Sequence, residues 1–365
     1  MIEGIIPAEI RAEPAAIRAT LDEARPAARA AAGLLRERGT RRLFVIGNGT
    51  SYHTALAAAA LYRRRSGPQD PAVVALTAAD FRVYRPALAP TDAVVGVSAS
   101  GEFRDVVAVF EALAGRLPTI AVVHVPGSTL DRGGGIVVRS AGGPSRVPVM
   151  TKTFAATLVA TQLLLAELLG EAEGGRYAAE ASAAASAAEA AIAAAEPRVE
   201  PLADALAAAE HVFVVGSGLA TVAAMEAALK LKEMAIVHAE PAESWEMASG
   251  AATIVRPGTV VVALAPQGPG RAATLDVARH AVGWGARVIE VGPGVAPAVE
   301  GADHLALPDG AAEDHAPLVA VPPVALLAFA LARRRGHDPD RPGWVKRYHS
   351  QGLRHIVGVG EEEAR

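Results

Sequence analysis

Residues 43–51 read LFVIGNGTS. Four large apolar residues run into Gly-x-Gly and then into two hydroxyl side chains. A continuous apolar run of this length, bounded by glycines, fits a strand buried on both faces. The pattern recurs at 212–220 as VFVVGSGLA. A second pair follows the same logic: AVVGVSASGEFRDVVAVFEALA (93–114) corresponds to VVVALAPQGPGRAATLDVARHA (260–281), each a strand, a turn of small residues and a helix. Two correspondences in the same order point to a duplicated α/β domain.

Outward from these stretches, further strand-like runs occur at 72–77, 119–125 and 286–292, with helical periodicity between them. Strands alternating with helices predict two similar doubly wound parallel-sheet domains in tandem. The expected boundaries are a helical segment over 1–39 broken or kinked at Pro26, a first domain over 40–170, a helical arm over 171–209, a second domain over 210–345 and a tail over 346–365. The arm is nearly pure alanine and glutamate, with too few large apolar residues to form a core.

The chain has 365 residues, 51% of them hydrophobic and 20% charged, a composition of folded domains rather than disordered chain. With a net charge of −4 and only 4% aromatics, it lacks the basic, aromatic-interleaved surface of a nucleic-acid binder. Cysteine is absent. That excludes disulfides, thiolate metal sites and a cysteine nucleophile within this sequence. No signal peptide and no membrane span free of charge, Gly or Pro is evident, so a cytoplasmic protein without membrane contacts is expected.

In doubly wound sheets, ligands bind where strands end at their carboxyl edge. Two such loops are rich in glycine and hydroxyl groups: Gly49, Thr50 and Ser51 after one strand, and Ser98, Ser100 and Gly101 after another. Glycine lets backbone N–H groups approach an anion, and the following helix N-terminus adds a positive dipole end. That chemistry suits phosphate or sulfonate; the alternative is a pair of ordinary turns with N-cap residues. Neither loop is a P-loop or a dinucleotide fingerprint.

The stretch 226–252, EAALKLKEMAIVHAEPAESWEMASGAA, poses a separate choice. Glu226, Lys230 and Glu233 stand at i, i+4 and i+7 of a helix built from strong helix formers, so all three share one face. They form either a solvated ion-pair stripe or acid/base groups aimed into a site.

Taken together with VPGSTLDR (125–132), TKTFAATLVATQLLL (151–165) and APLVAVPPVALLAFALARRRGHDPDRP (316–342), these motifs resemble the tandem sugar isomerase (SIS) domain family. The resemblance is nearest to the isomerase half of glucosamine-6-phosphate synthase, with the phosphosugar deaminases and fructosamine-phosphate deglycases beside it, and runs from about residue 40 to 346. It implies a flavodoxin-like fold and a cofactor-free, metal-free enzyme. The expected reaction is aldose–ketose isomerisation or deamination of a phosphorylated amino sugar such as glucosamine 6-phosphate. A sulfosugar isomerase or a deglycase is the alternative. The resemblance assigns Glu233 as the C1/C2 proton carrier, sets Lys230 and Glu226 near the sugar hydroxyls, and puts Lys346 beside the carbonyl. It maps the anion grip onto Thr50, Ser51, Ser98 and Ser100. It also implies a homodimer or larger even oligomer that completes the sugar site with residues of a neighbouring subunit.

Three departures qualify it. Relatives read Ser-Gln-Ser-Gly-Glu-Thr where this chain has Ala99 and Phe103, and Met150 replaces a serine before Thr-Lys. Ser249 stands where relatives carry a ring-opening histidine. A serine hydroxyl cannot replace an imidazole that titrates near neutrality. His53 and His349 are candidate substitutes, with His238 and His315 as further imidazoles. A different class, a sugar-binding regulator without chemistry, is the competing reading.

Overall fold

The computed structural model describes residues 2–133 and 135–343. In chain order its elements are α1 (Ile5–Glu37), β1 (Arg42–Gly47), α2 (Thr50–Arg65), β2 (Ala72–Thr77), α3 (Ala78–Tyr84), β3 (Asp92–Ser98), α4 (Arg104–Leu113), β4 (Thr119–Val123), α5 (Thr129–Arg132), β5 (Ile136–Arg139), α6 (Lys152–Leu169) and α7 (Glu171–Leu206). They continue with β6 (His211–Gly216), α8 (Leu219–Ala235), β7 (His238–Glu243), α9 (Ser244–Ser249), β8 (Val260–Leu264), α10 (Arg271–Gly283), β9 (Arg287–Pro293), β10 (Asp303–Leu307), α11 (Ala316–Val319) and α12 (Val321–Arg334).

The strands form two five-stranded sheets in the orders β2-β1-β3-β4-β5 and β10-β9-β8-β6-β7, every pairing parallel. Reading β6 to β10 against β1 to β5 gives the same order in both sheets, as the repeated motifs predict. Compact units follow the sheets. One comprises Ala15–Ser145 and Lys152–Ser182; the other comprises the chain up to Pro14, Arg146–Thr151 and Ala183–Pro342.

Each sheet buries an apolar face under its own helices. In the first, Phe44, Ile46, Val94 and Val123 pack with Phe81, Val106, Val109 and Leu113. In the second, Phe213, Val215, Val261 and Val288 pack with Met247, Leu275, Ala278 and Ala281. Two further helical segments, Lys152–Leu169 and Glu313–Arg334, are long and apolar enough to cross a membrane by length and composition, yet both are almost entirely buried. Their uniform hydrophobicity reflects burial all round rather than lipid contact.

Several elements differ from the sequence reading. Helix α1 runs without a break through Pro26. The carbonyl left without a donor there belongs to Asp22, which is exposed, so water can satisfy it. Strands β5, β7 and β10, each at a sheet edge, escape the sequence pattern. Residues 238–243 of β7, HAEPAE, carry a proline that an edge strand tolerates. Helix α7 buries a stripe of alanines, including Ala181, Ala185, Ala188, Ala191 and Ala195, with Tyr177. Small side chains thus serve as a packing face where bulk looked to be missing. Finally, the carboxylate of Asp340, in the GHDPDRP stretch, accepts from the N–H groups of Ile5 and Ile6, both at 2.8 Å. It caps the first turn of α1 from 335 residues away.

The turn after β1 and the turn after β6 are built alike. A Cβ on Gly47 would meet the Ser51 backbone at 2.6 Å, and one on Gly216 would meet the Ala220 carbonyl oxygen at 2.5 Å. Gly47→Ala and Gly216→Ala are each expected to destabilise the chain by about 1–3 kcal/mol, the usual cost of overpacking. Urea denaturation midpoints of the two variants against wild type check this.

Candidate active site

Helix α8 starts at the Gly218 turn after β6 and ends where Ile236 adopts a left-handed conformation, φ 51°. The seventeen residues between them are helix formers, and they carry Glu226, Lys230 and Glu233 on one face. Glu226 is 0% and Lys230 1% exposed. The ammonium lies 3.1 Å from a Glu226 oxygen and 2.7 Å from Glu233 Oε2. Only Glu233 keeps appreciable access, its side chain being 22% exposed. A solvated stripe is therefore ruled out, since two of its three charges are buried.

Burial alone would push the Lys230 pKa down. The charges of Glu226 and Glu233, with their hydrogen bonds, reverse that and raise it above the ordinary lysine value. Lys230 is thus a permanent cation, held by the carboxylate behind it and paired with the carboxylate that reaches solvent.

A fourth group belongs to this cluster and was not found in the sequence. Glu13, on α1, is buried, and its carboxyl is held well above the usual range. Burial is the main cause; Lys230 opposes it, while Glu226 and Glu9 add to it. Glu9 is itself buried and accepts the Arg146 backbone N–H at 2.8 Å. Burial and the neighbouring carboxylates together favour the protonated form of Glu13. The available signal was the Glu9–Glu13 pair at i, i+4 in an otherwise apolar helix face.

The loop residues predicted to grip an anion lie on the other unit. Gly49 opens α2 with φ 55° and ψ −129°, and no side chain caps that helix. Thr50 and Ser51 are buried in its first turn. Ser98 is buried and its Oγ accepts the Gly101 N–H at 3.1 Å; exposed Ser100 accepts the Glu102 N–H at 3.2 Å. Gly101 has φ 69°, and a Cβ there would strike Ser128. The two hydroxyls stabilise their own turn, and each retains a proton to donate.

Ser249 ends α9, exposed, with its hydroxyl donated to the Trp245 carbonyl at 2.8 Å. His53 sits half-buried in the first turn of α2, and His315 is buried. His238 Nδ1 lies 2.7 Å from His211 Nδ1 across the β6–β7 pair. Lys346 and His349 lie outside the described residues.

Against this geometry, comparison with known proteins is informative. The model of the SIS domain family matches residues 35–167 and 205–293. The chain belongs to the SIS domain family. It is 31% identical over 338 residues to a glutamine–fructose-6-phosphate aminotransferase (isomerizing) of Methanothermobacter thermautotrophicus, covering 92% of this chain and 55% of that protein. It spans about half the length of the curated relatives it matches. Among solved structures, the C-terminal domain of glucosamine-fructose-6-phosphate aminotransferase from Francisella tularensis superposes with a TM-score of 0.84 at 23% identity, covering 93% of this chain and 99% of that one. A glucosamine-6-phosphate deaminase from Thermotoga maritima does so with a TM-score of 0.74 at 21% identity, covering 93% and 98%. The two SIS segments fall on the two parallel sheets.

The proton on Glu13 has a measurable consequence. The folded state holds it to higher pH than the unfolded chain, which sheds it above the ordinary carboxyl value of 4.5. Folding therefore takes up a proton, and stability falls as pH rises from that value toward the raised folded one. Glu13→Gln, neutral at every pH, is expected to gain stability relative to wild type as pH rises from about 5 to about 8. Chemical denaturation at the two pH values measures this; parallel behaviour of the two proteins would mean that Glu13 is ionised when folded.

Proposed function

We propose that this SIS protein is a phosphosugar isomerase that uses Glu233 as its proton carrier. The observation that carries the reading is the ion-paired carboxylate of Glu233, partly open to solvent and fixed at 2.7 Å by an ammonium that is itself buried and anchored by Glu226. Isomerisation needs a carboxylate that can lift a proton from C2 of an open-chain aldose and return it to C1. When the C2–H bond breaks, its electron pair forms the C1=C2 double bond and the carbonyl oxygen takes the charge. A fixed cation beside the base opposes that charge. Passage of the O2 proton to O1 and return of the carried proton to C1 then give the ketose. Lys346, which the family resemblance puts beside the carbonyl, would be a further cation in this step.

The turns at Gly49–Ser51 and Ser98–Gly101 offer backbone N–H groups and neutral hydroxyls suited to a sugar's anionic group. An amino-sugar or hexose 6-phosphate suits that donor set, and the names of the relatives point the same way. The thinned loop, with Ala99 in place of an amide, also leaves room for a sulfosugar. Deamination of the same amino sugar would use the same base.

A second reading, a sugar-phosphate-binding protein without turnover, draws on Ser249, whose hydroxyl is engaged by its own helix. One experiment separates the two. Glu233→Gln is expected to keep sugar phosphate binding by calorimetry while lowering the isomerisation rate by at least about 100-fold, the usual reach of a lost general base. A variant with near wild-type turnover overturns the assignment of the base. A wild-type protein that binds a hexose 6-phosphate yet converts none of it favours the binding protein.

The anion grip has its own test. Ser98→Ala with Ser100→Ala is expected to raise the KM for a phosphorylated sugar at least about tenfold while leaving that for the neutral parent little changed, because donors aimed at the anion are lost. Steady-state kinetics on the two sugars measure it; equal changes on both would make the serines turn residues only.

A further inference from the structure

The duplication extends to the anion turns, but the two copies are not in the same state. Strands β6 and β8 are neighbours in their sheet as β1 and β3 are in theirs. Their following turns, Gly216–Gly218 and Ala265–Gly270, therefore lie side by side at the carboxyl edge and lead into α8 and α10. Gly218 has φ 60° and ψ −128°, against 55° and −129° at Gly49, and neither helix has a side-chain cap. By conformation the second unit carries the same cradle.

In that cradle sits a carboxylate. Glu313 is 4% exposed, and its Oε2 accepts the Gly270 N–H at 2.8 Å. A Cβ on Gly218 would strike the Glu313 carboxyl, and so would one on Gly268. Three glycines of the two turns thus surround one anionic group. The backbone holds it there: the Glu313 N–H donates to the Gln267 carbonyl at 2.7 Å, and the Gln267 N–H donates to Ala311 at 2.9 Å. Residues 267 and 312 form a parallel bridge. A carboxylate buried this deeply would be costly without donors aimed at it, and helix N-termini with glycine turns provide them.

We propose that the second unit retains an anion-binding site for a tetrahedral oxyanion, phosphate or sulfate in class, and that Glu313 is its built-in occupant. The carboxylate leaves one open anion cradle among the turns described, in the first unit, and holds the N-terminus of α10 beside the turn that opens α8, the helix that bears Glu226, Lys230 and Glu233. This inference rests on the reading of the Gly49 and Ser98 turns as an anion grip.

Inorganic phosphate is the probe, titrated calorimetrically into the full chain at fixed ionic strength. Wild type is expected to bind one phosphate and Glu313→Ala two. Glu313→Gln, which keeps the volume and an acceptor for the Gly270 N–H, is expected to bind one. Sulfate in a parallel titration is expected to fill the same two sites of Glu313→Ala. An alanine variant that is folded by circular dichroism and gains no phosphate over wild type overturns the proposal. If that variant is unfolded without anion, recovery of the native spectrum on adding phosphate or sulfate supports the proposal, and failure to recover overturns it. A wild type that binds no phosphate, beside an alanine variant that binds one, would remove the assignment of the first-unit turns while the second site stands.

Discussion

The buried ammonium of Lys230 constrains much of this protein. Lys230 has almost no access to water, and an unpaired charge there would cost several kcal/mol or neutralise itself. Glu226, one turn earlier on the same helix, and Glu233, one turn later, prevent both. That pairing works only if α8 stays helical through all three positions and keeps one face turned inward. The Gly218 turn sets where the helix begins, and the left-handed Ile236 sets where it stops. Pairing leaves a partly exposed carboxylate with a fixed cation behind it, the arrangement from which the proposed proton transfer is drawn.

The same cluster shows how a buried site limits its own charge. Glu9, Glu13, Glu226 and Glu233 contribute four carboxyl groups around one lysine. The structure accommodates them by different means. Two pair with the ammonium, one receives a backbone N–H, and the surroundings of Glu13 favour its protonated form. Environments that drive like groups to different protonation states are a recurring feature of acid–base sites.

Duplication supplied two copies of one design, and the copies diverged by small changes of chemistry on an unchanged backbone. Both sheets have the same strand order, and both first turns have nearly the same dihedral angles. In one unit, hydroxyl residues line the turns. In the other, the corresponding space holds a carboxylate that arrives from a segment nearly fifty residues further along the chain than β8. Replacing a ligand by a side chain keeps the turn rigid without leaving its N–H groups unsatisfied.

Fold class was legible because the central strands are continuous apolar runs that end in glycine turns, a signal that depends on neighbours in the chain. The tandem arrangement was legible for the same reason, and so was the Glu–Lys–Glu face, since helical spacing alone aligns its members. Edge strands such as HAEPAE were not, because an edge strand needs no apolar face and tolerates proline. The alanine stripe of α7 was also hidden, since close packing of small side chains carries no hydrophobic signature. Whether Glu226, Lys230 and Glu233 face water or protein could be decided only by what packs over them. Glu13 and Glu313 belong to their clusters through contacts across some 200 and 40 residues of chain, and no local pattern encodes such distances. The sequence by itself determined the elements and their periodicity; tertiary packing alone decided which charges are buried, which proton is kept, and which of two similar turns is already filled.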